Sequence, residues 1–255
     1  MKIATWNVNS IRARHDRVVA WLAAEQPDLL CMQEIKVETA AFPGDAIAAA
    51  GYHVVAIGQR TYNGVALCAR EPVTDVVTGF GDGVDDDEAR FIVGTLRGVR
   101  VASAYFPNGG GGPDKFAYKL EWMARLRRWL DAHVDPSSAF ALCGDYNVAP
   151  EDRDIHDPAK WENAVLCTPE ERAALAHIKA FGLDDVYRKH HAEGGRFTWW
   201  DYRGVAFFKD YGLRIDHIWA TPVLAARAVS CEIDKLARKG QNASDHAPVT
   251  ATFGA

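Results

Sequence analysis

Short runs rich in apolar and β-branched residues recur along the chain at residues 2–8, 28–33, 53–57, 65–69, 91–96, 99–105, 140–143, 215–220 and 249–253, and each reads as a strand. Between them lie amphipathic stretches at helical spacing, at 16–25, 113–133 and 169–181. Glu170 and Glu171 directly after Pro169 mark the start of the last of these. Several strands follow one another across short turns, as at Asn63-Gly64 and Arg97-Gly98, with no helix between them. A purely alternating parallel sheet therefore does not fit. The pattern predicts an α/β fold of two mixed sheets packed face to face with helices outside, which buries strands that are apolar on both faces. No internal repeat is visible in the residues.

A chain of 255 residues, 48% hydrophobic and 25% charged, is expected to form one domain with a substantial core, and no Ser/Pro-rich linker divides it. The opening Met1-Lys2-Ile3-Ala4-Thr5-Trp6 lacks the charged segment and long apolar run of a signal peptide. No stretch is apolar for long enough to cross a bilayer. The five cysteines are odd in number and mostly sit in apolar runs (Cys31, Cys68, Cys143), as reduced core thiols of a cytoplasmic protein would. No two are paired at zinc-ligand spacing. A net charge of −5 argues weakly against a polyanionic partner. Basic clusters nevertheless occur at Arg12, Arg14 and Arg17, at Lys115 and Lys119, at Arg125, Arg127 and Arg128, and at Lys235, Arg238 and Lys239. Such clusters can gather positive charge on one face, although solvated helix faces are expected to account for more than half of these residues.

Polar residues collect where apolar strands end and loops begin. The ends are Trp6-Asn7-Val8-Asn9, Gln33-Glu34-Ile35-Lys36, Tyr105-Phe106-Pro107-Asn108, Gly144-Asp145-Tyr146-Asn147 and Arg214-Ile215-Asp216-His217. A sixth cluster, Ser244-Asp245-His246-Ala247-Pro248, precedes the last strand. A single Asp after a strand is ordinarily a turn or cap residue. Six clusters of complementary chemistry in one chain suit phosphodiester hydrolysis. That reaction needs a hard cation, a held water, donors for growing negative charge and help for the leaving oxygen. Glu34 with Asn7 offers oxygen ligands of the kind Mg²⁺ prefers. Asp145 with Asn147 can hold and deprotonate a water. His246 backed by Asp216 can stand as imidazolium over a phosphate oxygen. Tyr105 and Asn108 add donors, and Lys36 adds positive charge. Gly109–Gly112 lacks the Lys-Ser/Thr of a nucleotide-binding loop, and no Gly-x-Ser-x-Gly elbow is present, so triphosphate binding and acyl transfer drop out.

The ordered series WNVNSIRAR (6–14), QEIK (33–36), YFPNG (105–109), GDYNVAPEDRDIHDP (144–158), PEER (169–172), FTWWDYR (197–203), GLRIDHIWA (212–220) and SDHAPV (244–249) resembles the exonuclease III branch of the endonuclease/exonuclease/phosphatase superfamily. The resemblance spans residues 1–253. It implies a DNase I-like four-layer α/β sandwich and a Mg²⁺-dependent phosphodiesterase of base excision repair, with Mn²⁺ as a substitute metal. The activities implied are incision 5′ to abasic sites and 3′-to-5′ exonuclease action on double-stranded DNA, by a monomer with no organic cofactor. Glu34 would be the main metal ligand, with Asn7, Asp145, Asn147, Asp245 and His246 around the metal. Asp145 and Asn147 would position the water, Asp216 and His246 would stabilise the pentacoordinate phosphate, and Tyr105, Asn108 and Lys36 would contact the phosphate or assist nearby. Two assignments of the base stay open: Asp145, or His246 with Asp145 activating the leaving group. Trp199, Leu213 and Ile215 match the family's apolar pocket for a flipped, baseless deoxyribose, whereas Trp200, Phe207 and Phe208 are expected in the core. Asn9, which stands where animal AP endonucleases carry Asp, places the chain in the bacterial branch, and Asn9 and Arg12 would contact substrate. Gly111 aligns where those enzymes insert an Arg into DNA, which leaves room for exonuclease activity. The runner-up reading is a phosphoesterase acting on RNA or a phosphorylated small molecule. A damage-binding module without chemistry is disfavoured, because every expected catalytic side chain is present.

Overall fold

The computed structural model describes residues 1–254. Its strands in chain order are β1 (Lys2–Asn7), β2 (Leu29–Gln33), β3 (His53–Ile57), β4 (Val65–Ala69), β5 (Thr74–Thr78), β6 (Phe91–Leu96), β7 (Val99–Tyr105), β8 (Phe140–Asp145), β9 (Asp184–Asp185), β10 (Asp216–Ala220), β11 (Ala228–Ile233) and β12 (Val249–Phe253). The helices are α1 (Ile11–Glu25), α2 (Asp45–Ala49), α3 (Pro113–His133), α4 (Pro169–Lys179), α5 (Val186–His190), α6 (Ala206–Lys209) and α7 (Pro222–Ala225). None of the helices is long and apolar enough to cross a membrane.

Side chains alternate faces along a strand, so one apolar strand serves two cores. Ile3, Leu29, Cys31, Leu67 and Ala251 of one sheet face Val101, Cys143 and Ile218 of the other in the core between them. Their neighbours Ala4, Trp6, Leu30 and Met32 point the other way, onto Val18, Trp21 and Leu22 of α1. On the far side, Ala102, Ala104 and Leu142 meet Trp122, Met123 and Leu126 of α3 and Leu175 and Ile178 of α4. The result is the four-layer α/β sandwich that the apolar runs require. Helix α1 begins at Ile11, earlier than its periodicity indicates, because the Ser10 side chain accepts the Ala13 N–H and caps it. Helix α4 starts at Pro169, as predicted, under a capping box in which Thr168 and Glu171 exchange hydrogen bonds.

The sheets run β11-β12-β1-β2-β4-β3 and β5-β6-β7-β8-β10-β9. Each is built around one parallel pair, β1 with β2 and β7 with β8, and every other pairing is antiparallel. One pairing scheme is thus used twice, although no residue repeat betrays it. The register lines up the candidate residues. Asn7 stands opposite Gln33, the residue before Glu34, while Tyr105, Asp145 and Asp216 form one row across β7, β8 and β10. A Cβ at Gly144 would lie 1.9 Å from the Ala104 carbonyl oxygen, so only glycine lets β8 approach β7 this closely just before Asp145.

Several basic clusters are structural ties rather than solvated faces. Arg14 and Arg17 donate to backbone carbonyls, Arg125 is buried against Asp82 and Asp86, and Arg238 lies over the rings of Tyr202 and Phe207. Lys119 is completely buried. Trp200 is buried as expected, but Phe208 is 87% exposed.

Candidate active site

The ends of β1, β2, β7 and β8, the start of β10 and the turn before β12 bring Asn7, Glu34, Tyr105, Asp145, Asn147, Asp216 and His246 to one rim. The backbone is bent to aim them. Glu34, Lys36 and Asn147 all adopt left-handed φ, at 51°, 51° and 49°. Non-glycine residues rarely hold that conformation without support. Support comes from Ile35 and Lys36, whose N–H groups donate to the Gly64 and Asn63 carbonyls, and from Asn147, whose N–H donates to Asp145 Oδ1 at 2.9 Å.

Asn7 Nδ2 bridges two carboxylates, donating to Glu34 Oε1 at 2.8 Å and Asp145 Oδ2 at 2.9 Å, while its Oδ1 accepts the Asn9 N–H. Its amide nitrogen thus ties the two carboxylates together. Lys36 sits 2.6 Å from Glu34 and donates to Asn9 Oδ1 at 2.5 Å. Burial works against charge on Glu34, but Lys36 and the Asn7 amide outweigh it and hold its carboxyl below the usual value. Asn147 Nδ2 donates to Phe106 O at 3.0 Å and Asp145 Oδ2 at 3.3 Å, and its Oδ1 accepts from Asn108 Nδ2 at 3.0 Å.

His246 Nδ1 lies 2.8 Å from Asp216 Oδ2, and its Nε2 lies 3.7 Å from Asp145 Oδ2. Burial disfavours the imidazolium, yet the flanking Asp216 and Asp145 carboxylates prevail and raise its pKa to about 10. Asp145 is itself pushed up to about 7 by burial and Asp216, against the opposing pull of His246. Proton affinity is thus concentrated in one histidine and one carboxylate, as acid–base chemistry near neutral pH requires. Burial, with Glu34 and Asp145 next to it, keeps the Tyr105 hydroxyl protonated, and the Arg90 guanidinium lies 4.7 Å above its ring.

Glu34, Asp145 and His246 each offer a ligand atom within 4.8 Å of the others. The carboxylate oxygens suit a hard cation, and Asp216 Oδ1 is a buried oxygen without a partner in the same cluster. Asp245, expected near the metal, has both carboxylate oxygens engaged. Its Oδ1 accepts from Asn9 at 2.8 Å and its Oδ2 from Trp199 Nε1 at 3.0 Å. Arg12 is exposed on α1 and reaches only the Ala41 carbonyl, at 3.5 Å. Trp199, Leu213 and Ile215 do cluster, with Ile155, Leu166 and Cys167. Leu213 and Ile215 are 0% and 1% exposed, however, so of the three only Trp199 offers surface to a ligand.

Sequence reasoning passed over the residues that aim these groups. Thr198 Oγ1 accepts the N–H groups of Ile215 and Asp216, each at 3.0 Å, and so pins the start of β10. Ser244 Oγ donates to Asn7 O at 2.6 Å and accepts the His246 N–H at 3.2 Å, joining the first motif to the last. Their only signal was membership of FTWWDYR and SDHAPV.

The chain matches the Endonuclease/Exonuclease/phosphatase family over residues 4–246. Exodeoxyribonuclease III of Haemophilus influenzae is 35% identical over 266 aligned residues, covering 99% of this chain and 100% of that protein. The structure of an AP endonuclease from Archaeoglobus fulgidus superposes with a TM-score of 0.97 at 42% identity, covering 100% of both chains. That of the 3′ phosphatase NExo from Neisseria, bound to product DNA hairpin, does so with a TM-score of 0.97 at 41% identity, covering 100% of this chain and 99% of that one. With this geometry and these likenesses, the chain belongs to the endonuclease/exonuclease/phosphatase family, in the branch that holds exodeoxyribonuclease III and the AP endonucleases.

Proposed function

We propose that this protein is a metal-dependent DNA phosphodiesterase of base excision repair. It incises 5′ to abasic sites and removes nucleotides or blocking groups from 3′ ends of double-stranded DNA, as a cytoplasmic monomer of one catalytic domain. The observation that carries the reading is the convergence of Glu34, Asp145 and His246 at one rim, with His246 backed by Asp216 at 2.8 Å. Five free, buried cysteines fit a reducing compartment. Mg²⁺ is the proposed ion and Mn²⁺ a substitute, held chiefly by Glu34. When bound, it supplies charge that polarises the phosphate.

The side chains divide the remaining work. His246 presents a positive Nε2–H to a phosphate oxygen, where negative charge grows. Asp145, titrating near 7, holds the attacking water and takes its proton, with Asn147 fixing the carboxylate. Tyr105 and Asn108 donate to the phosphate, and Lys36 adds positive charge. Asn9 and Trp199, tied together through Asp245 beside this rim, would contact the flanking strand.

A gel assay with two labelled duplexes, one with a central abasic analogue and one intact with a recessed 3′ end, tests this reading with Mg²⁺ and with EDTA. Metal-dependent incision at the abasic position is expected, with shortening of the intact strand. Cleavage of neither duplex, together with turnover of RNA or an inositol phosphate, would transfer the assignment to the other phosphoesterases of the family. Glu34→Gln should raise the Mg²⁺ concentration for half-maximal activity at least about tenfold, the scale of losing one charged ligand contact of roughly 1.4 kcal/mol. DNA binding in EDTA should stay close to wild type. An unaltered Mg²⁺ titration would remove Glu34 from the metal site.

A further inference from the structure

The PEER motif and the buried lysine of α3 have no place in the chemistry above, yet they meet directly beneath it. Lys119 occupies a position where α3 otherwise points Trp122, Met123 and Leu126 into the core, and it is 0% exposed. Burying a lone ammonium costs several kcal/mol, so a lysine persists there only if fully partnered. All three of its N–H donors have acceptors: Glu171 Oε1, Asn147 O at 2.7 Å and Asn108 O at 3.1 Å. Glu171 is equally engaged, with Oε1 also accepting from Leu166 N at 3.1 Å and Oε2 from Thr168 N at 3.0 Å. The methylene stem of Lys119 packs under the glycine loop, where a Cβ at Gly109 would stand 2.8 Å from Lys119 Cδ.

We infer that Lys119, charged and held by Glu171, is a positioning residue that draws the backbones of Asn108 and Asn147 to one point and so sets the geometry of both side chains at the phosphate. The two carbonyls it binds belong to loops that are 39 residues apart in sequence, and the side chains of those same residues hydrogen-bond each other at 3.0 Å. Asn147 in turn orients Asp145 through its N–H and its amide. An apolar residue at 119 would fill the space, but it would leave the buried Asn147 carbonyl and the partly buried Asn108 carbonyl without their donor, and the loops free to part. The inference rests on the proposed reading of Asn108 and Asn147 as groups of the phosphate site.

The double variant Lys119→Met/Glu171→Gln removes both charges together, keeps the volume and leaves an acceptor in the capping box, so it should fold. Replacing a buried ion pair as a unit is often neutral, unlike removing one partner. Its kcat for abasic-site incision should fall about 10²-fold, the scale of a misplacement of roughly 1 Å, with KM within about threefold of wild type. Leu130→Ala, on the same helix but away from both carbonyls, serves as the control for mere destabilisation. It should lower Tm and leave kcat unchanged. A folded double variant with kcat within about threefold of wild type would overturn the inference, as would an equal loss in Leu130→Ala. If the double variant does not fold, Gly109→Ala decides when read against Gly112→Ala, which shares the positive φ but has open space around its Cβ, so that only the Gly109 substitution displaces the Lys119 stem. It should lower kcat at constant KM, and an unchanged kcat would overturn the inference. Absence of incision by the wild-type protein would instead overturn the functional reading itself.

Discussion

His246→Asn lowers single-turnover incision by at least about 10²- to 10³-fold, the loss expected when a preorganised donor at a developing oxyanion disappears. The side chain does two things in the structure. Its Nδ1 engages Asp216 at 2.8 Å, and its Nε2 faces Asp145 at 3.7 Å, so one imidazolium separates two buried carboxylates. Asparagine approximates the ring's reach towards Asp216 but carries no charge. The phosphate then loses a positive partner, and Asp145, already held near 7, is pushed further towards its protonated form because the opposing influence of His246 is gone. Both changes act on turnover more than on DNA binding. Rapid-quench measurement on an abasic duplex at fixed Mg²⁺ reads the effect. A loss of only about tenfold would reduce His246 to a supporting group.

Arg214→Met should destabilise the fold by about 3–5 kcal/mol, the usual penalty for stripping the partner from buried charge. In a protein of this size that corresponds to a fall in Tm of about 10 °C. Arg214 is 1% exposed and donates through Nε to Asp154 Oδ1 at 2.6 Å and through Nη2 to Asp185 Oδ2 at 2.7 Å. It also lies against His217 Nδ1 at 3.0 Å. Burial and the guanidinium together depress His217 to about 3, so the imidazole is neutral and its ring nitrogen accepts. Asp154 retains Arg188 in the variant, whereas Asp185 has no other side-chain cation within ion-pair distance among the described residues. Burial alone would raise Asp185, but the Arg214 guanidinium overcomes it and holds it at about 2, below its ordinary 3.8. A depressed carboxylate contributes stability that is complete above 3.8 and is lost as pH falls through about 2. The wild-type network should therefore survive to pH 4, while the variant, whose Asp185 regains a high pKa, should differ most from wild type at neutral pH and less in mild acid. Urea midpoints at pH 7 and pH 4.5 measure this, and a difference below about 1 kcal/mol at pH 7 would show that the network is dispensable.

Nine of the strands were legible as apolar runs because strands covered on both faces have little choice of residue. The three that escaped, β5, β9 and β11, are short or lie at sheet edges. Thr74-Asp75-Val76-Val77-Thr78 is mostly exposed, and Asp184-Asp185 pairs over only two residues, so neither carries an apolar signature. In the candidate site, residue types were legible and contacts were not. Asn7, Glu34, Asp145, Asn147, Asp216 and His246 stand out as polar residues at strand ends. That Asn7 clamps two carboxylates, that Asp245 turns to Asn9 and Trp199, and that Leu213 and Ile215 present no surface depend on partners distant in sequence. Lys119 and Arg125 read as surface cations because a helix's own spacing does not reveal what its neighbours bring to it.

Local patterning sets most of the elements, their order and the chemically capable side chains. Those follow from the period of apolar positions and from residue identity, which are local properties. Which charges are paired, which carboxyl titrates near 7 and which lysine is buried emerge only on folding. Burial and proximity arise when segments such as β1 and the turn before β12 close on one another through Ser244 and Asn7, 237 residues apart. In that enclosed rim the low polarisability of the surroundings turns ordinary side chains into a coupled set of proton and phosphate contacts.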